Sequence, residues 1–396
     1  MSGGVPHPFP TQEIGSLPKF GWRTKPFRLT PLQDEDIDSA RSWGERLRVP
    51  RYKALLNLLA KKGRFTDSER KRIVNFSVLY AIRMQELAGG EGLDLIWTGE
   101  QARTEMYETP VSGMRGFEFI GRVRSFDNKY WRIASVRKRV DYGINYHLEE
   151  LLYILGHTRR AVKVPVTDAI TLMAWSDDYH YARRWSKVPL PPSSRSFGAR
   201  RDFTLDLARV IRRVIRELIQ RGAKEIQLDI PAATQYQSVE DARLVSEAFN
   251  ETTRGLNATF SVHSCFPPRV GYASLFPSLL EMKNCSRYSF EYANRDGLLP
   301  GVNPQSRPGY SDLRLFREYG YTGELGVGVV HVHSDTLPSV ETVRDRILYA
   351  SKVTDLPPEK IFVTPDCGLR TRSPQVAYSM LELVVAGAKK AREGVS

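Results

Sequence analysis

Residues 323–367 read GELGVGVVHVHSDTLPSVETVRDRILYASKVTDLPPEKIFVTPDC. The run from Gly323 to His333 is small and β-branched with no polar face, which predicts a strand buried on both sides. Ser339 then opens a helix, SVETVRDRILYASKV. Two prolines, Pro357 and Pro358, separate that helix from a second apolar run, Lys360–Cys367. A strand, a helix and another doubly buried strand make the repeating unit of a parallel sheet.

The same unit recurs backwards along the chain. Apolar runs at 161–167, 224–231, 258–265 and 286–293 are followed by the helical stretches DFTLDLARVIRRVIRELIQRG, SVEDARLVSEAFNETT, YASLFPSLLEM and YSDLRLFREYG. An earlier run, LDLIWTGE (93–100), brings the count of strands to seven, and TQEIGS (11–16) supplies an eighth. Eight alternating units predict an α/β protein of the (β/α)8 TIM-barrel class. An open doubly wound sheet is the rival, but no Gly-rich phosphate turn follows an early strand. Residues 1–396 then form a single barrel, with 31–90 a helical segment and 103–140 a hairpin insertion after the second strand. Within 31–90, Thr66 with Glu69 three residues later predicts a capped helix start, and Gly89-Gly90 its end.

Composition bounds the rest. The 396 residues are 41% hydrophobic and 26% charged, enough for a large core. No apolar run is long enough to span a membrane, and the N-terminus lacks the basic and apolar regions of a secretory signal. Three cysteines are too few for a disulfide framework, so we expect a cytoplasmic protein whose cysteines act as thiols or ligands. The net charge of +13 concentrates in 122–139, 183–201 and 209–221. These segments read either as solvated faces or as a surface for RNA, a ribosome or an acidic protein.

In a barrel, the C-terminal ends of the strands face one pocket. Those ends carry Ser16, Glu100, Thr167-Asp168, Asp229, His263 with Cys265, Glu291, His333, and Asp366-Cys367. His263, Cys265, Glu291 and Cys367 supply the nitrogen, sulfur and oxygen donors that zinc takes in tetrahedral sites. The i, i+2 spacing of His263 and Cys265 puts both on one side of a strand. On spacing alone, an equal reading makes the two cysteines buried thiols and His263 a core histidine. Cys285, before its strand, reads as structural.

These motifs together resemble the cobalamin-independent methionine synthase family, in its short single-barrel form. Ile14-Gly15-Ser16 and Gly99-Glu100 match family motifs at the first two strands. VTDAITLMAWS (166–176) is similar to LTGPVTILxWS, QLDIPA (227–232) to QIDEPA, and HSCF (263–266) to HxCY. FEYANRD (290–296), HVHSDTLPS (331–339) and TPDCGLRTR (364–372) resemble IETSRSD, DIHSPRIPS and NPDCGLKTR. The matches keep their order over residues 11–390.

The resemblance implies a zinc-dependent methyltransferase that makes methionine from homocysteine, with His263, Cys265, Glu291 and Cys367 on the metal. Ser16, Glu100 and Asp229 would hold the amino-acid part of homocysteine, Trp175 would stack on a flat methyl donor, and His333 would protonate the leaving group. The donor would be a methyltetrahydrofolate or a methylated corrinoid protein. A related alkyl-thiol transferase of the epoxyalkane:coenzyme M type is the alternative within the enzyme class. Each role has a plainer counterpart: Trp175 a cover for the mouth, Asp229 a helix cap, His333 a partner of a backbone carbonyl, Arg370 and Arg372 loop ties. Two departures stand out, Ile230 for the Glu of QIDEPA and Asp335 where the family carries proline.

Overall fold

The computed structural model describes residues 7–124, 130–185, 196–235, 238–267 and 271–395. Parts of the basic segments 122–139 and 183–201 lie outside the described residues. Three helices come first: α1 (Asp34–Arg46), α2 (Tyr52–Leu59) and α3 (Asp67–Leu87). The start of α3 is the expected capping box, with the Thr66 hydroxyl accepting from Glu69 N–H and the Glu69 carboxylate from Thr66 N–H.

Seven strands form one parallel sheet: β1 (Leu95–Ile96), β4 (Ala161–Thr167), β5 (Glu225–Asp229), β6 (Thr259–Ser264), β7 (Cys285–Phe290), β8 (Glu324–Val330) and β9 (Ile361–Pro365), adjacent in that order. Helices α6 (Phe197–Gln220), α7 (Val239–Thr253), α9 (Val340–Thr354) and α10 (Pro374–Arg392) cross over between or after the strands. Thr11 bridges Val363 of β9 and Gln12 bridges Leu95 of β1, both parallel, so the TQEIGS segment touches both edge strands through single bridges rather than as a ladder. The fold is therefore an α/β half-barrel of seven parallel strands, with this short segment between its edges.

The hairpin insertion is present as β2 (Met114–Arg124) and β3 (Tyr130–Tyr142), antiparallel. Helices α4 (Leu148–Leu155) and α5 (Ala169–Ala174) follow β3 and β4, and α8 (Leu313–Glu318) precedes β8. One expected helix did not form. YASLFPSLLEM folds as two 3-10 turns, Ala273–Leu275 and Ser278–Glu281, because Pro277 offers no N–H to a helical ladder. Among the described residues, no helix is long and apolar enough to cross a membrane.

Much of the basic charge is locally neutralised. Arg139 forks onto Asp206, Arg200 meets Asp241, Arg201 meets Glu247, and Arg209 and Arg212 share Glu251. These pairs leave the docking-surface reading, for RNA or an acidic protein, without support: the described arginines brace α6 against α7 and the hairpin.

Behind the mouth, the Asp296 side chain is fully buried between the guanidinium groups of Arg307 and Arg346. Arg346 also donates to the carbonyls of Val329 and Gly297, at 2.7 and 2.9 Å. Removing the carboxylate strands two buried cations. Asp296→Ala should destabilise the protein by about 3–5 kcal/mol, read as a lower urea midpoint at unchanged slope.

Candidate functional site

Parallel register aligns the strand ends. Asp229 of β5 lies beside His263 of β6, which lies beside Ser289 of β7. The His263 ring Nδ1 sits 3.1 Å from the Ser289 carbonyl. A carbonyl can only accept, so Nδ1 carries the proton and Nε2 presents its lone pair. That Nε2 is buried and has no hydrogen-bond partner among the described residues. Opposite it stand the thiols of Cys265 and Cys367, and one donor atom from each of these three residues lies within 4.8 Å of the other two. An orphaned imidazole nitrogen facing two sulfurs is a fitting donor set for a soft divalent cation.

The electrostatics agree. The hydrogen bond from Cys265 holds the Cys367 thiol well below its usual range, against the effect of burial and with help from His263. The same hydrogen bond, with burial, pushes Cys265 well up. Burial pulls His263 down, but the neighbouring Cys367 sulfur outweighs it and leaves the imidazole raised.

Glu291, the fourth expected ligand, sits beside the trio without joining it. Its Oε2 accepts from Phe266 N–H at 3.0 Å and its Oε1 from the Asn294 side chain. Burial pushes the carboxyl up, and Asp366 and Cys367 nearby push further. Asp366 is no pocket residue: its carboxylate accepts from the N–H groups of Tyr292, Ala293 and Asn294 at 2.7–2.9 Å, tying the end of β9 to the loop after Glu291. Asp168 likewise caps α5, accepting from Ile170 and Thr171 N–H. Thr167 bonds the Met106 carbonyl. Cys285 opens β7 at the other end of the sheet, bonded to the Arg287 carbonyl and pushed up to about 12 by burial, as a structural thiol would be. It lies within its strand rather than before it.

Near the trio, the carboxylates of Glu100 and Asp229 lie within electrostatic reach of each other and of His263. Gly99 and Glu100 both take left-handed backbone angles, φ 63° and 55°, which turn the chain sharply after β1. A Cβ on Gly99 would approach Leu17 and Ala81 to 2.9–3.0 Å, so this turn is built for glycine. Glu100 Oε1 pairs with the buried Arg103 at 3.2 Å. Asp229 is buried, with Oδ1 accepting from Gln227 at 2.7 Å, and burial lifts it to about 7 while the His263 charge opposes. Its carboxylate caps no helix. The Ser16 carbonyl accepts from Leu369 N–H at 2.6 Å, joining the first segment to the loop after Cys367. A side chain at Gly368 would overlap the Ser16 hydroxyl.

The outer wall is aromatic. Trp175 lies against Trp131 of the hairpin, ring centroids 5.8 Å apart, and Trp131 against Tyr107 at 4.8 Å. The His333 ring lies tilted against Phe266 at 4.5 Å and edge-on to His331 at 5.6 Å. Burial holds the His333 imidazole below its usual value, as does Arg372. Arg372 pairs with Asp335 at 2.7 Å, and Arg370 faces Glu105. The sequence reading missed Trp131, Arg103, Gln227 and Lys163. Trp131 lay in a hairpin read only as an insertion, and Arg103 had one available signal, its i, i+3 spacing from Glu100.

A parallel α/β scaffold that gathers a His/Cys/Cys donor set and the carboxylates of Glu100 and Asp229 at its strand ends has the chemistry of a metal-type enzyme site. Residues 304–390 match the family model described as the catalytic domain of cobalamin-independent synthase. The chain is 32% identical to a methionine synthase of Thermoplasma volcanium over 77% of its own length and 86% of the relative's. It is 30% identical to one of Pyrococcus furiosus, covering 97% and 93%. A B12-independent methionine synthase from Shewanella sp. W3-18-1, in complex with selenomethionine, shares the fold with TM-score 0.72 at 21% identity over 98% and 99% of the two chains. A methyltransferase from Methanosarcina mazei shares it at TM-score 0.56 and 12% identity, over 97% and 94%. The chain belongs to the cobalamin-independent methionine synthase family and is a methyltransferase.

Cys367→Ser should lower the affinity for divalent metal by more than the roughly 10- to 100-fold typical of supporting residues, whereas Cys285→Ser should leave it unchanged. Metal content after dialysis, by elemental analysis, distinguishes the two.

Proposed function

We propose that this protein is a zinc-dependent methyltransferase that transfers a methyl group to the sulfur of homocysteine, giving methionine, and works as one cytoplasmic barrel spanning residues 1–396. The helical segment 31–90 and the hairpin region 103–140 are parts of that barrel, and TQEIGS is its eighth strand position. The observation that carries the reading is the meeting of His263 Nε2, Cys265 Sγ and Cys367 Sγ next to Glu100 and Asp229. The names of the relatives support the same substrate.

His263, Cys265 and Cys367 would hold the zinc, with Glu291 beside them as a further oxygen donor. Zinc bound there supplies charge that makes a substrate thiol a thiolate near neutral pH. Glu100 and Asp229 receive the substrate ammonium and Ser16 its carboxylate end, which fixes the sulfur at the mouth of the site. The sulfur lone pair attacks the methyl carbon, the new C–S bond forms, and the bond from carbon to the donor breaks with its electron pair staying on the donor. A folate donor then needs a proton on nitrogen, which His333 would give. A corrinoid donor keeps the pair on cobalt and needs none. The Trp131–Trp175 wall gives either donor a flat apolar surface. Coenzyme M, by contrast, has no ammonium to satisfy two carboxylates.

Methyl transfer to homocysteine, measured with methyltetrahydrofolate and with methylcobalamin, tests the proposal. No methionine from either donor would refute it. Glu100→Gln should raise KM for homocysteine about 10- to 100-fold by weakening one charge-assisted contact, with metal content unchanged. An unaltered KM would remove Glu100 from the subsite.

A further inference from the structure

Lys163, in the middle of β4, is completely buried, yet it touches neither the metal-type donors nor the mouth. All three of its N–H groups are used. Nζ donates to the Glu13 carbonyl at 2.7 Å, the Ile14 carbonyl at 2.9 Å and Gln227 Oε1 at 2.7 Å. Among the described residues its ion-pair partner is the Glu13 carboxylate at 3.7 Å, with Asp229 and Glu225 acting on it from further off. Glu13 is itself buried, with neither oxygen hydrogen-bonded among the described residues. Burying an ammonium costs far more than burying an aliphatic side chain of similar length. Packing alone would be better served by methionine.

The ammonium decides the orientation of Gln227. It has no lone pair, so only the amide oxygen can face it. The amide nitrogen is thereby turned the other way, donating to the Ile14 carbonyl at 2.8 Å and to Asp229 Oδ1 at 2.7 Å. The Gln227 amide thereby restrains the Asp229 carboxylate through Oδ1. The same Lys163 and Gln227 groups hold the carbonyls of Glu13 and Ile14, two residues and one residue before Gly15. One buried cation thus ties together two of the three groups assigned to the amino-acid end of the substrate.

We infer that Lys163, acting through Gln227, is the positioning residue of the amino-acid subsite, setting the Asp229 carboxylate and the Ser16 segment in register for a substrate bearing an ammonium and a carboxylate. Glu13 is its countercharge. The inference rests on the assignment of Asp229 and Ser16 to that subsite.

The test uses two variants of the metal-loaded protein. Gln227→Glu keeps an oxygen facing Lys163 but replaces the donor to Asp229 with a second acceptor. Glu13→Gln/Lys163→Met removes the buried charge pair together, so that neither charge is stranded. Both should raise KM for homocysteine, and the calorimetric Kd for methionine, by about 10- to 100-fold, with kcat within about threefold and metal content unchanged. Wild-type KM and Kd in a folded double variant would overturn the inference. So would a joint fall of kcat, metal content and melting temperature with no selective effect on affinity, because Lys163 would then only hold the fold. Failure of the wild-type enzyme to methylate homocysteine would instead refute the substrate assignment, and methionine affinity would still report on the brace.

Discussion

Everything at this site depends on the fixed register of parallel strands. Two sulfurs and an imidazole nitrogen reach within 4.8 Å of one another although they come from β6 and the end of β9, about a hundred residues apart. A slip of one residue would turn each side chain to the opposite face of the sheet. The register is secured close to the donors themselves. His263 bonds the neighbouring strand through Nδ1, Asp366 gathers three N–H groups from the loop after β7, and Ile230 N–H reaches the His263 carbonyl at 2.7 Å. The buried polar groups around the site are thus largely the fasteners that let a distributed donor set behave as one ligand.

Charge balance adds a second constraint, independent of the metal. Glu13, Glu100 and Asp229 bring three carboxylates into one low-dielectric region, and Lys163 and Arg103 bring two cations. Burial lifts both Glu13 and Asp229 to about 7, opposed by those cations and by His263. A carboxylate pair such as Glu100 and Asp229 favours a cationic group between them, and Asp229 lies next to His263 of the metal-type trio in the ladder.

The strand ends were legible in the sequence because doubly buried parallel strands are uniformly apolar, so the first polar residue at each end stands out. That signal found His263, Cys265 and Cys367. It does not separate a side chain that faces ligand from one that fastens the fold. Asp168 and Asp366 have the same signature as Asp229, yet one caps α5 and the other clamps a loop, since a carboxylate beside free backbone N–H groups will bond them. Lys163 and Gln227 were invisible for a different reason. A lysine within an apolar strand has no periodic signature, and its role exists only in contacts with residues 64 and 150 positions away. The TQEIGS segment was read as a full strand, but only two of its residues form bridges. The helix lost at Pro277 was foreseeable from its proline. The excess of basic residues was legible as a number, but which arginines pair with acids on other elements was not.

The departures from the family motifs fall at positions other than Ser16, Glu100 and Asp229. Ile230 is buried against the core, so the glutamate it replaces leaves no unmatched charge. Asp335 is spent on Arg372, and the family's aspartate at 331 is a histidine whose ring lies against His333. Burial and the nearby Arg372 lower the His333 imidazole from its usual value, and the Cys367 sulfur opposes them. In the proposed reaction these changes fall on the side of the methyl donor, while Glu100, Asp229 and the two cysteines belong to the side of the acceptor. On that proposal the acceptor half of the site is constrained by charge and metal chemistry, and the donor half is free to vary in how its leaving group is neutralised.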